Sequence, residues 1–143
     1  MTIAQGQTTI FKQNCLSALE NFAVGTPYTY KIALYTANAT LNADTLTYVT
    51  TGEVVGTGYT AGGQALVISQ IPTYISGTTT AYISFSNAVW NPASFTCRGA
   101  LIYNSTTNAA VAVLDFGSDK TTASSFTVTF PTATSTTAVL TIN

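Results

Sequence analysis

The sequence contains no histidine, and that absence removes most familiar site chemistry. A serine or cysteine nucleophile needs a base to take its proton, most often an imidazole. The only amine bases are Lys12, Lys31 and Lys120, and no Ser-x-x-Lys spacing accompanies them. The acids are Glu20, Asp44, Glu53, Asp115 and Asp119. A pair of carboxylates for glycosyl transfer would have to be assembled from these dispersed residues. Asp115 and Asp119 are close in sequence, but Gly117-Ser118-Asp119-Lys120 reads as a turn. Cys15 and Cys97 do not make a metal-binding spacing. Cys15 falls in a helical pattern and Cys97 in a strand pattern, and both read as small buried hydrophobes. The glycines between Gly56 and Gly63 lack the Lys-Ser/Thr of a phosphate-binding loop. The expectation is a protein that is not an enzyme, with no catalytic residues, no cofactor and no metal.

One charged pair does stand out. Arg98 is the only arginine. If Asn104–Ala109 is the loop of a hairpin, Tyr103 opposes Ala110 and the count back places Arg98 opposite Asp115. In this register Leu101 and Tyr103 share a face with Ala112, Leu114 and Phe116. Ala100 and Ile102 share the other face with Val111 and Val113. Both faces are apolar, so the hairpin is expected at the centre of a sheet covered on both sides. The Arg98–Asp115 pair is then a structural pair that fixes register, partly removed from water.

The elements around this hairpin follow from periodicity. Residues 1–7 are polar and read as an N-terminal arm. Thr8 or Thr9 can cap a helix, and Phe11, Cys15, Ala18, Leu19 and Phe22 then recur at spacings of three and four. That is the apolar face of a helix of about four turns. Gly25 and Pro27 end it. From Tyr28 onward the period becomes two. Strands are expected near Tyr30–Tyr35, 65–71, 80–89, 95–103, 109–116, 125–130 and 136–142. Residues 36–63 form a long connection, with a short helical turn at 44–49 and a glycine-dependent passage at 56–63. The sequons Asn38-Ala39-Thr40 and Asn104-Ser105-Thr106 read as turns. The fold class is therefore mainly β: an antiparallel β-sandwich or jelly-roll-like barrel with one N-terminal α-helix, as a single domain over 8–143.

Composition narrows the function. Only 6% of residues are charged and the net charge is −1, against about a quarter charged in ordinary soluble domains. Polarity comes from threonine, serine and asparagine. Such a surface lacks the repulsion that keeps copies apart. The four basic residues form no patch, so no nucleic-acid partner is expected. No leader pattern and no apolar run of membrane length is present, so synthesis in a cytoplasm and no membrane partner are expected. Eight tyrosines and Trp90 could pack in a core, line an interface or stack on sugars.

Two stretches carry a resemblance. The first runs through Lys31-Ile32-Ala33-Leu34-Tyr35 and Leu41 to Thr51, and reaches Gly58-Tyr59-Thr60-Ala61-Gly62-Gly63. The second joins Trp90-Asn91-Pro92-Ala93-Ser94-Phe95-Thr96-Cys97-Arg98-Gly99-Ala100-Leu101-Ile102-Tyr103-Asn104 to Leu114-Asp115-Phe116-Gly117. Over roughly residues 8–142 the chain resembles a family of small β-rich virion structural proteins of tailed bacteriophages. The resemblance implies a place in the virion, assembled in the cytoplasm of a host bacterium. Its first implication is capsid decoration: a cement protein binding the major capsid protein and further copies of itself, as a dimer or trimer. The alternative is a tail, neck or fibre component that contacts the host surface, through glycans.

Overall fold

A computed structural model describes all residues, 1–143. The elements in chain order are β1 (Gly6–Gln7), α1 (Thr9–Leu16), β2 (Tyr30–Tyr35), β3 (Gln64–Ala65), β4 (Ile68–Tyr74), β5 (Ala81–Phe85), β6 (Ala88–Trp90), β7 (Phe95–Asn104), β8 (Ala109–Thr122), β9 (Phe126–Val128) and β10 (Leu140–Ile142). The fold is mainly β with one helix, as the periodicity predicts. The strands form a five-stranded sheet in the order β1-β8-β7-β2-β3, a three-stranded sheet β10-β5-β4, and the pair β6-β9. All their pairings are antiparallel. The sheets stay open, so the architecture is sandwich-like and does not close into a barrel.

The large sheet is covered on both faces at its centre, because β2, the 99–104 part of β7 and the 109–113 part of β8 are buried at odd and even positions alike. One face carries Ile32, Leu34, Cys97, Ala100 and Ile102. It packs against Phe11, Ile83, Phe85, Trp90, Val128 and Leu140 from α1 and the smaller sheets. The other face carries Ala33, Tyr35, Leu101, Tyr103 and Val113. It is closed by Ile3 and by Ala39 and Leu41 from the 36–63 connection. Each fully buried Leu or Ile contributes about 1.5–3 kcal/mol of transfer free energy, so both layers contribute to stability.

The hairpin expectation holds at its loop and fails beyond it. Tyr103 does pair with Ala110 and Asn104 with Ala109. A β-bulge follows at once, and Ile102 pairs with Ala112 rather than Val111. Val111 and Ala112 then both lie on the face of Ile102. Val113 moves to the face of Leu101. The extra residue shifts the pairs from Ile102 to Gly99 by one and exchanges the expected faces there. Asp115 therefore opposes Gly99, not Arg98.

Three further expectations are corrected. Residues 1–7 are not a separate arm. Ile3 is buried and bridges Leu41, and Gly6 and Gln7 pair with Val113 and Ala112 as the fifth strand. The short apolar signal of a single isoleucine hid this role. The helix has eight residues, not four turns. Thr8 caps it, accepting from the Phe11 amide at 3.2 Å and donating to the Ala110 carbonyl at 2.9 Å. It ends at Ser17, Ala18 takes a positive φ of 57°, and the Leu19 amide donates back to the Asn14 carbonyl at 2.8 Å. Phe22 still enters the core, but from a loop, stacked on Tyr30 at 4.4 Å. The helical turn expected at 44–49 is instead a tight turn held by the Asn42 side chain, which accepts from the Asp44 amide at 2.8 Å. Extended chain follows, and Tyr48 donates its amide to the Asn108 carbonyl at 3.1 Å.

The glycine passage behaves as expected. Gly58 and Gly63 have φ of +80° and +71°. A β-carbon at either would strike the carbonyl oxygen of Pro92 or of Ile32. No helix is long and apolar enough to cross a membrane.

Candidate functional site

The sequence-predicted pair is formed, but at the surface. Arg98 Nε donates to Asp115 Oδ1 at 3.2 Å, with both side chains about one-third exposed. The contact is diagonal, because Arg98 sits in a second irregularity of the β7–β8 ladder between the Cys97 and Gly99 pairings. The Gly117 amide, then Arg98, hold the Asp115 carboxyl below the usual range. The pair is a clamp at one end of the sheet, partly removed from water as expected, but set diagonally instead of directly across the ladder.

Two other carboxylates do more, and sequence reasoning did not single them out. Glu53 lies beside the end of β3, where β2 would otherwise lose its neighbour. It bridges Tyr35, and the Val54 amide donates to the Leu34 carbonyl at 2.9 Å. The Glu53 carboxylate accepts from Tyr48 Oη at 2.6 Å, Tyr59 Oη at 2.7 Å and the Gly62 amide at 2.7 Å. Tyr59 Oη in turn accepts from the Leu34 amide at 2.9 Å. A phenol thus stands in for the missing strand. Burial first, then the bond to Glu53, hold the Tyr59 phenol well above its ordinary range. This node fastens the 36–63 connection over the second core layer.

Glu20 does the same for the 17–29 loop. Its Oε2 accepts from Tyr30 Oη at 2.8 Å and Asn104 Nδ2 at 3.1 Å, and its Oε1 from Asn14 Nδ2 at a long 3.5 Å. Burial pushes the Glu20 carboxyl above the usual range, and these three bonds pull it part of the way back. Asn104, read as a turn residue, is fully buried and also accepts from the Thr106 and Thr107 amides. The available sequence signal was compositional: few acids among many phenols must take phenolic protons.

These arrangements are structural in chemistry. Glu53 accepts three short bonds from donors of the chain itself, Glu20 accepts two short ones at Oε2 and a single long one at Oε1, and no three His, Cys, Asp or Glu converge. Burial raises both thiols, Cys97 to about 12, so neither is poised as a thiolate. What the exterior does present is apolar surface. Val55 is 95% exposed, Leu16 92% and Val24 84%, with Val67, Leu46, Ile71, Ile75 and Ile142 also open. Three adjoining grooves run along α1, the 17–29 loop and the small sheet. They share Phe11, Cys15 and Ile142 at one junction and Phe22 at the other. Of the eight tyrosines only Tyr74 lies open, and Trp90 is buried.

Comparison with protein families, with curated proteins and with solved structures finds no match to this chain.

Proposed function

We propose that the chain is a structural virion protein of a tailed bacteriophage, acting as a capsid decoration or cement protein through protein–protein contacts. The observation that carries this reading is the exterior: nearly uncharged, with Val55, Leu16 and Val24 largely exposed and three adjoining grooves, two of them mostly apolar. Large apolar patches on an otherwise well-packed domain mark surfaces that bind other proteins. The resemblance of residues 8–142 to small phage virion proteins supplies the setting. The carboxylates, spent on holding loops, support a binding role over a catalytic one. A clamp between capsid subunits must hold its own shape under load. Two loop-fastening nodes and a sheet buried on both faces at its centre suit that task.

A tail, neck or fibre protein that stacks on host glycans is the second reading. It needs several exposed rings on one surface. Only Tyr74 is open, so the observations favour the first. The reading is tested by adding purified protein to phage heads that lack it and sedimenting the mixture. Saturable uptake in fixed ratio to the major capsid protein supports it. Absence of uptake by heads, with uptake by tails, supports the alternative.

A further inference from the structure

The middle of the three grooves is lined by Phe11, Phe22, Ile83, Leu140 and Ile142, with Glu20 also on its wall. Its volume is about 290 Å³. The chain gives Glu20 no cation. The only ion pair in the molecule is Arg98–Asp115. Lys12 lines the adjoining groove and makes no bond to Glu20. The groups that do face Glu20 are the Tyr30 phenol, the Asn104 and Asn14 amides and the Cys15 thiol, all neutral. Oε2 is doubly held, whereas Oε1 has only the 3.5 Å contact from Asn14. A half-buried carboxylate with spare acceptor capacity, on an apolar wall, is an incomplete arrangement.

We propose that this groove receives a lysine side chain presented by a partner protein, with the aliphatic stem against Phe11, Ile83 and Leu140 and the ammonium on Glu20 Oε1. The stem of lysine packs on apolar surface while its head keeps a polar contact. Lysine fits better than arginine, because an ammonium is satisfied by one acceptor atom, whereas the bidentate contact that favours a guanidinium would also need Oε2, which already accepts two bonds. A protein source fits better than a free amine. The groove opens at one end into a mixed groove with Leu16, Gln7 and Thr141 on its walls and at the other into an apolar groove with Ile71, which give a partner's backbone polar and apolar places to lie. The inference rests on the reading of this protein as a protein-binding module.

The test uses three probes in solution, followed by NMR shifts of Ile83, Leu140 and Ile142: Nα-acetyl-lysine N-methylamide, butylammonium and butanol. Both cations should bind at least about tenfold more tightly than butanol, as a charge-assisted bond requires. Glu20→Gln should remove that preference while leaving butanol unchanged. Should Glu20→Gln fail to fold, the wild-type protein gives the same answer through pH: cation affinity falls as Glu20 is protonated and butanol affinity does not. Equal binding of butanol and butylammonium overturns the proposal, as does a lack of shifts with any probe. Binding of butylammonium with exclusion of the blocked lysine overturns the assignment to a protein partner. None of these probes involves phage particles, so failure here is separate from failure of the virion reading.

Discussion

Tyr59→Phe removes one oxygen atom and is expected to be among the most costly conservative changes in the protein. The phenol oxygen accepts from the Leu34 amide at 2.9 Å and donates to Glu53 at 2.7 Å. Leu34 is fully buried in the central sheet. Without the oxygen its N–H stays shielded by the ring and finds no acceptor, at about 1–3 kcal/mol. Loss of the bond to a charged acceptor adds about 1.5–3 kcal/mol. The expected total is about 3–5 kcal/mol, a large share of the roughly 5–15 kcal/mol that holds a typical domain. Tyr48→Phe is the control. It also deletes a bond to Glu53, but Tyr48 is much less buried than Tyr59 and water replaces the phenol. It should cost about 1 kcal/mol. Urea unfolding of both variants measures the difference, with the slope unchanged if the denatured state is unaffected. A Tyr59→Phe loss equal to or smaller than that of Tyr48→Phe would refute the idea that a phenol completes the sheet.

Other expectations follow from the same structure. Deleting residues 1–7 should lower the stability of the isolated protein, and Ile3→Ala alone should cost about 2–4 kcal/mol in denaturant; an unchanged midpoint would return these residues to the status of a loose arm. Gly63→Ala should cost about 3 kcal/mol or more, because it adds a positive-φ penalty to a collision with the Ile32 carbonyl, and soluble expression at wild-type stability would count against the close approach. Arg98→Ala should shift the melting point far less than Tyr59→Phe, since the ion pair is partly solvated; a double-mutant cycle with Asp115→Ala reads the coupling directly. In pH titrations of stability, Glu20 and Asp115 should pull in opposite directions. The Glu20 pKa is raised in the fold above 4.5, so its contribution falls as pH climbs from 4.5 through the raised value, and Glu20→Gln should flatten that slope. The Asp115 pKa is lowered below 3.8, so its contribution is present above 3.8 and lost as pH drops beneath it.

The sequence made the strand-rich class legible because β2 and the central parts of β7 and β8 are apolar on both faces, which no surface helix or half-exposed strand would be. It also made the 104–109 loop legible, since Asn104 and Asn108 mark a turn between two apolar runs. It did not reveal the bulge at Val111. Alanine and valine fit either face equally well, so the pattern carries no register information there. The helical spacing runs past the helix itself because Ala18 and Leu19 continue it. Both are exposed, and the chain leaves the helix so that Glu20 and Phe22 can reach Tyr30 and Asn104. Glu20 and Asn104 stand 84 residues apart, and only the folded β2–β7 pairing brings them together. Glu53 was passed over for the opposite reason. Its partners Tyr48, Tyr59 and Gly62 are local, but they read as loop composition until the end of β3 is seen to leave Leu34 without a strand neighbour.

The central claim is that this protein works as a repeated part of a virion shell. Quantitative mass spectrometry of mature virions purified from a culture in which this protein is expressed tests that proposal most directly. Intact heads should hold the protein in a fixed stoichiometric ratio to the major capsid protein and retain it after tails are removed. Absence from particles, or a handful of copies that leave with the tails, would contradict it.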